Sequence, residues 1–148
     1  MSIMPRFQQI KPGDLLPQRE FDVDIVQSFL YNAAIWNAHR IHFDQSYATG
    51  VEGYPGLVIA GPLMGDWLAQ CVEEWMGDEA RLVSLEYQNR QAAYVGEPVR
   101  SGGSVASVDR EFGTCALDLF VKNDKGEVIV PGRAVVRFAV RRTRMQGT

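Results

Sequence analysis

Gly61-Pro-Leu-Met-Gly-Asp-Trp-Leu-Ala-Gln-Cys-Val-Glu-Glu-Trp-Met-Gly77 decides how this chain folds. Gly61 is a permissive residue, and Pro62 after it suits the first position of a helix, where no N–H is needed. Leu63, Met64, Trp67, Leu68, Cys71, Val72, Trp75 and Met76 then recur three and four apart, which puts them on one side of a helix. Gly77 ends the run. The spacing predicts a helix from Pro62 to Met76, about 22 Å long at the usual rise per residue. Trp67 and Trp75 read as core, and a stripe this wide needs something large wrapped around it.

The chain beyond Asp78 supplies the wrapping. The apolar period changes to two: Val83, Leu85 and Tyr87 alternate, then Cys115, Leu117, Leu119 and Val121, then Ala134, Val136, Phe138 and Val140. Pro98 to Asp109 is also strand-like, and its Gly102-Gly103 pair suggests a bulge or a close approach of backbones. Turns are expected at Asp109–Gly113 and Asn123–Gly126. Arg133, Arg137 and Arg141 fall on the alternate face of the last strand, open to water, phosphates or carboxylates. Strands joined by hairpin-length turns must be antiparallel. The class is α+β, four strands in a curved antiparallel sheet around one dominant helix.

On the N-terminal side, Asp24 and Gln27 resemble a capping box, and Val26, Phe29, Leu30 and Ala33 follow at helical spacing. A first helix is expected from Ile25 to Trp36. Residues 1–19 read as an extended lead-in, 20–142 as the domain and 143–148 as a tail. With 148 residues, 46% of them hydrophobic, the chain fits one domain. A net charge of −3 argues against nucleic acid as partner. Cys71 and Cys115 lie far apart with no CxxC or Cys/His ligand spacing, so neither a zinc site nor a disulfide scaffold is suggested; no cofactor is expected. The longest apolar run is too short to span a membrane, and the opening residues lack the layout of a secretion signal. The expected location is cytoplasmic.

Both histidines fall in Tyr31-Asn-Ala-Ala-Ile-Trp-Asn37-Ala-His39-Arg40-Ile-His42-Phe-Asp44-Gln-Ser-Tyr47-Ala48. A close histidine pair in a loop is by itself a weak signal, and Asp44 has a plain reading as the N-cap of Gln45–Thr49. The whole stretch, however, resembles the signature of the MaoC-like, or hydratase 2, family. That pattern runs Gly-Asp-x-Asn-Pro-Ile-His, five residues, then Ala. Here Ile41-His42 and Ala48 match, while Trp36, Asn37, His39 and Arg40 stand at the Gly, Asp, Asn and Pro. This variant is similar to the type 2 hydroxyacyl-thioester dehydratases and the mesaconyl-CoA hydratases. Gly56-Leu-Val-Ile-Ala-Gly61-Pro-Leu63 continues the likeness, with Ala60 where relatives carry His. Gly96-Glu-Pro-Val and the last strand extend it to about residues 20–142.

The resemblance implies a hotdog fold and a hydro-lyase that adds water reversibly to a 2-enoyl thioester of CoA or an acyl carrier protein. Such chemistry needs a base for water, a proton for C2 and donors for the enolate-like oxygen. His42 suits acid and base work, and Gly61 can offer an N–H at the helix N-terminus, since Pro62 has none. Asn37 either positions the water or only caps the first helix, because an amide takes no proton at neutral pH. Asp44 or an acid from elsewhere is then open as a second acid. Arg40 either meets a substrate carboxylate or CoA phosphate or is a surface residue; His39, Ala60 and Leu63 are placed with it in the substrate-binding set. The basic tail Arg141-Arg142-Thr143-Arg144 is either a nucleotide contact or a solvated terminus.

Two other functions share this fold. Asp66, one turn into the helix, could serve a thioesterase, or the chain could be the partner subunit of a heteromeric hydratase. Relatives also imply a homodimer or a dimer of dimers. His42 and Gly61 are joined by a run with Gly50, Gly53, Pro55 and Gly56, which leaves a second copy to fix their geometry.

Overall fold

The computed structural model describes residues 7–139. Eight main elements follow in order: β1 Arg19–Phe21, α1 Ile25–Ala34, α2 Gln45–Gly50, α3 Gly61–Met76, β2 Ala80–Tyr87, β3 Val99–Asp109, β4 Thr114–Lys122 and β5 Val128–Phe138. The strands form one antiparallel sheet in the order β1-β3-β4-β5-β2. It curls around α3 in the hotdog arrangement. Among the described residues, five strands stand where four were expected. The extra one, β1, has three residues and shows no alternation to read.

The predicted stripe of α3 is the centre of the core. Leu68 and Val72 are fully buried, and Met64 and Trp67 nearly so. Phe21 of β1 stacks on Trp67 with ring centroids 4.2 Å apart, and Trp75 meets Phe138 of β5 edge-on. From the sheet come Val105, Cys115, Leu117, Leu119, Val121, Ala134 and Val136, all inward-facing. The lead-in belongs to this packing. Ile10 and Leu16 are buried, and residues 13–16 run along β3 through hydrogen bonds with Gly103 and Val105. Arg110 fastens its start by donating to the carbonyls of Phe7 and Ile10.

Two strand expectations need correction. The alternation Val83, Leu85, Tyr87 holds only in part on β2: Leu85 packs on the core and the Tyr87 ring lies against Gly65 of α3, but Val83 does not face inward. A bulge between Leu82 and Ser84 inserts Val83 as an extra residue, so Leu82 and Leu85 turn inward and Val83 is 51% exposed. At Gly102-Gly103 there is no bulge; that irregularity falls between Val105 and Ser107. Close approach is the observed reason for glycine. A Cβ on Gly103 would lie 2.4 Å from the Asp118 carbonyl oxygen. The two turns form as expected. Asp109 accepts from the Glu111 and Phe112 N–H groups, Asn123 from those of Lys125 and Glu127. Arg133 and Arg137 are exposed, and Arg133 lies 3.5 Å from Asp118. Arg141 and the rest of the basic tail lie outside the described residues.

The close approach at Gly103 gives a test of the sheet. Gly103→Ala must displace backbone, so it should cost on the order of 1–3 kcal/mol in urea unfolding. Gly50→Ala, with open space around it at the end of α2, should be neutral or stabilise by up to about 1 kcal/mol.

Candidate active site

The histidine loop starts where α1 stops. Asp24 caps that helix, accepting from the Gln27 N–H at 2.7 Å. The helix ends at Ala34, two residues before the expected Trp36, because Trp36 enters the left-handed region at φ +58°. There the Trp36 N–H bonds to the Ala33 carbonyl and the Asn37 N–H to that of Asn32, a Schellman ending. This position usually holds glycine, which accounts for the Gly that the family pattern carries there. Asn37 then opens the loop, its Oδ1 accepting from the His39 N–H at 3.1 Å. Arg40–His42 form one 3-10 turn, and Asp44 caps α2 through the Tyr47 N–H as expected.

His42 was expected in a loop clear of the core. It is in fact 7% exposed. Its Nδ1 lies 2.7 Å from the Val58 carbonyl oxygen. A carbonyl only accepts, so Nδ1 carries the proton and Nε2 is left free. The same Val58 donates its N–H to the Ile41 carbonyl at 2.9 Å. Residues 57–60 are held on their other side by residues 93–95, through Ile59 N–H to Ala93 and Val95 N–H to Leu57. The segment entering α3 is thus clamped between the histidine loop and the stretch after β2. One chain fixes the placement of His42 relative to Gly61, and the glycine-rich run needs no second copy for that purpose.

The result is a cleft of about 320 Å³ lined by His42, Val58, Ile59, Gly61, Pro62, Met64 and residues 89–92. Of the residues singled out in the sequence, His42 and Gly61 meet here. Ala60, the residue before α3, and Leu63 are buried in the core. Asn37 is half-buried at the loop entrance. His39 is exposed, its ring edge-on to His42 at 5.9 Å between centroids. Arg40 is turned to its own neighbours: two of its nitrogens donate to Asp44 at 3.0 and 2.8 Å, and it lies over the Tyr47 ring. Asp66 accepts from the Tyr31 hydroxyl at 3.0 Å. Sequence reading missed Asn89, Arg90 and Gln91. The only sign of them is the polar run Gln88–Gln91, where the β2 alternation breaks off.

The electrostatics separate the groups. Burial pushes the His42 pKa below the ordinary imidazole value, and His39 adds to this, against the bond to Val58. The Arg40 guanidinium holds the Asp44 carboxyl below the usual carboxylate range, which makes it a poor proton donor near neutrality. Burial, with Asp66 beside it, pushes the Tyr31 hydroxyl up to about 12. Among the described residues no three His, Cys, Asp or Glu side chains gather as a metal site.

A sheet curled around a central helix, with a histidine clamped near that helix's N-terminus, defines the chain as a hotdog domain. The family model for hydroxyacyl-thioester dehydratase type 2 matches residues 5–95, and the chain belongs to that family. It is 58% identical over 36 residues to the mesaconyl-C(4)-CoA hydratase of Chloroflexus aurantiacus, covering 24% of this chain and 13% of that protein. To the mitochondrial hydroxyacyl-thioester dehydratase type 2 of Schizosaccharomyces pombe it is 32% identical over 76 residues, covering 51% of this chain and 25% of the relative. In each case the matched part is a quarter or less of the relative's length. Among solved structures, an (R)-hydratase from A. caviae superimposes with a TM-score of 0.82 at 15% identity, covering 89% of this chain and 99% of that one. That likeness concerns the fold.

The burial of His42 makes stability depend on pH. Between the unfolded imidazole value, ~6.5, and the lower folded one, the unfolded chain binds a proton that the folded chain refuses. Stability contributed by neutral His42 is therefore present above about pH 6.5 and falls as the pH drops through that window. His42→Asn keeps a donor for the Val58 carbonyl without the titration. Its urea midpoint should fall less than that of wild type between neutral and mildly acidic pH.

Proposed function

We propose that this chain is a hydro-lyase that adds water reversibly across the double bond of a 2-enoyl thioester, with CoA or an acyl carrier protein as the thiol. The observation that carries the reading is the pairing, in one cleft, of a histidine with a fixed tautomer and the N-terminus of α3. In the hydration direction His42 Nε2 removes a proton from water as the water oxygen bonds C3. Negative charge then develops on the thioester oxygen, where the Gly61 N–H and the positive end of the helix dipole stabilise it. The proton passes from Nε2 to C2, which leaves the 3-hydroxyacyl thioester and neutral His42. Asn37 holds the attacking water in this reading. Ala60 and Leu63 back the acyl pocket, while Arg40 and His39 hold the loop's shape. Asp66, already bonded to Tyr31 and not on the cleft, gives no support to thioester hydrolysis.

The same reading places the protein in the cytoplasm as a homodimer. Free, buried Cys71 and Cys115 fit a reducing compartment; the S. pombe relative is mitochondrial by name. No helix among the described residues is long and apolar enough to cross a membrane. The dimer is supported by β2, an edge strand with Val83 and Tyr87 partly exposed, since an open edge invites pairing.

Crotonyl-CoA should lose its enoyl absorbance on adding the protein, with no free thiol released; thiol release would favour a thioesterase instead. His42→Ala should lower turnover by at least about 10², and should also lose about 1–3 kcal/mol of stability by stranding the Val58 carbonyl. Asn37→Asp should keep or raise the rate, whereas Asn37→Ala should lower it substantially. The acidic limb of kcat/KM should lie below the ordinary histidine value, because the base must be neutral and burial favours that form. Sedimentation should give twice 16.6 kDa or a multiple of it; a fully active monomer would rule the dimer out.

A further inference from the structure

Gly61 does not need its left-handed freedom, for its φ is not positive; it is glycine because another group occupies its Cβ position. A Cβ there would stand 2.2 Å from the Asn89 side-chain nitrogen and 2.8 Å from its carboxamide carbon. In an α-helix the Cα–Cβ bond tilts toward the N-terminus. The Asn89 amide therefore lies at the mouth of α3, beside the first free N–H groups of the helix. Asn89 lines the same cleft as His42 and Gly61, and the residue as a whole is exposed. Its backbone is held firmly. The Gln88 N–H bonds to Pro131 at 3.1 Å and the Arg90 N–H to Ile129 at 3.0 Å, which ties both flanking residues to β5.

We propose that Asn89 is a further catalytic residue of this site: its amide N–H donates to the thioester carbonyl oxygen, as the partner of the Gly61 N–H. The inference deepens the hydratase reading and rests on it. Two donors from separate elements, one backbone and one side chain, define a point in space where a single donor defines only a direction. The charge that builds on that oxygen during water addition meets both without rearrangement. Pro62 supplies no N–H, so the side chain of Asn89 provides what the helix cannot at its second position.

The test separates this role from packing. Asn89→Ala should lower kcat for crotonyl-CoA by about 10² with KM changed much less, as for loss of an oxyanion donor. Its urea midpoint should stay near that of wild type, because the side chain is exposed. Gly61→Ala retains its own N–H but pushes the flexible amide aside, so it should slow turnover too. The double variant should then be no slower than the slower single one, since both act through the same group. A second pair of measurements needs no turnover: affinity for butyryl-CoA, a saturated thioester, against S-butyl-CoA, its thioether without the carbonyl. Asn89→Ala should weaken the thioester about threefold to tenfold and leave the thioether unchanged. If an active wild type keeps its kcat within about threefold in Asn89→Ala, the proposal is overturned. Equal weakening of both ligands overturns it as well. A wild type with no hydratase activity defeats the functional reading, and the ligand pair then still decides whether Asn89 contacts the carbonyl.

Discussion

Burial of one helix face organises this molecule. The stripe of α3 from Met64 to Met76 carries two tryptophans, two methionines, leucine, valine and cysteine, and all seven are buried. The sheet must curl to reach it. Three local features allow that: the bulge in β2, the bulge in β3 and the small residues Gly102, Gly103 and Gly132 at contacts where a side chain would collide. Once α3 is held, its N-terminus has a fixed position, and the segment leading into it must run between the histidine loop and residues 93–95. The chemistry of the cleft is set by this route. Val58 uses its N–H and its carbonyl on the same loop, one on the backbone of Ile41 and the other on the ring of His42.

The helices were legible in the sequence because their signals are local. Capping residues, a Pro at the first turn and a three-four spacing all act within one or two turns, and Asp24, Asp44 and Pro62 do what such residues do elsewhere. The sheet was legible in class and less so in phase. Period-two alternation survives in β4 and β5, where both neighbours are strands. It breaks in β2 at Val83, because a bulge is decided by the partner strand and by curvature, neither of which Arg81–Tyr87 encodes alone. β1 escaped notice for a similar reason: three residues become a strand only because β3 lies beside them and Trp67 beneath Phe21.

The site divided along the same line. His42 and Gly61 stood out through a motif with fixed spacing, and they do share a cleft. Asn89 belongs to no recognisable spacing with either; 47 positions separate it from His42. What brings it close is sheet register, which a single sequence does not display. Arg40 shows the converse. A basic residue in a signature loop invites a role with phosphate, yet Asp44 one helical turn on is a nearer anion, and Tyr47 offers its ring face besides. Trp36 illustrates a third case. A bulky residue occupies a backbone conformation suited to glycine, and the residue is 94% exposed, so the closing bonds of α1 fix the chain there without help from side-chain packing.

The Cys71 thiol lies within α3 and donates to the carbonyl of Pro17, with its pKa pushed up to about 11 by burial and by Glu74. Near pH 7 roughly one such thiol in ten thousand is ionised, and only the thiolate reacts readily. The sulfur is thus silent toward alkylating reagents as long as the lead-in rests on the central helix. Lifting residues 10–17 would expose it while the sheet stayed closed, whereas Cys115, inside β4, would answer only when the sheet itself opened. The two cysteines form a built-in pair of clocks, one timing the loosening of the chain's first segment and the other the unfolding of the whole.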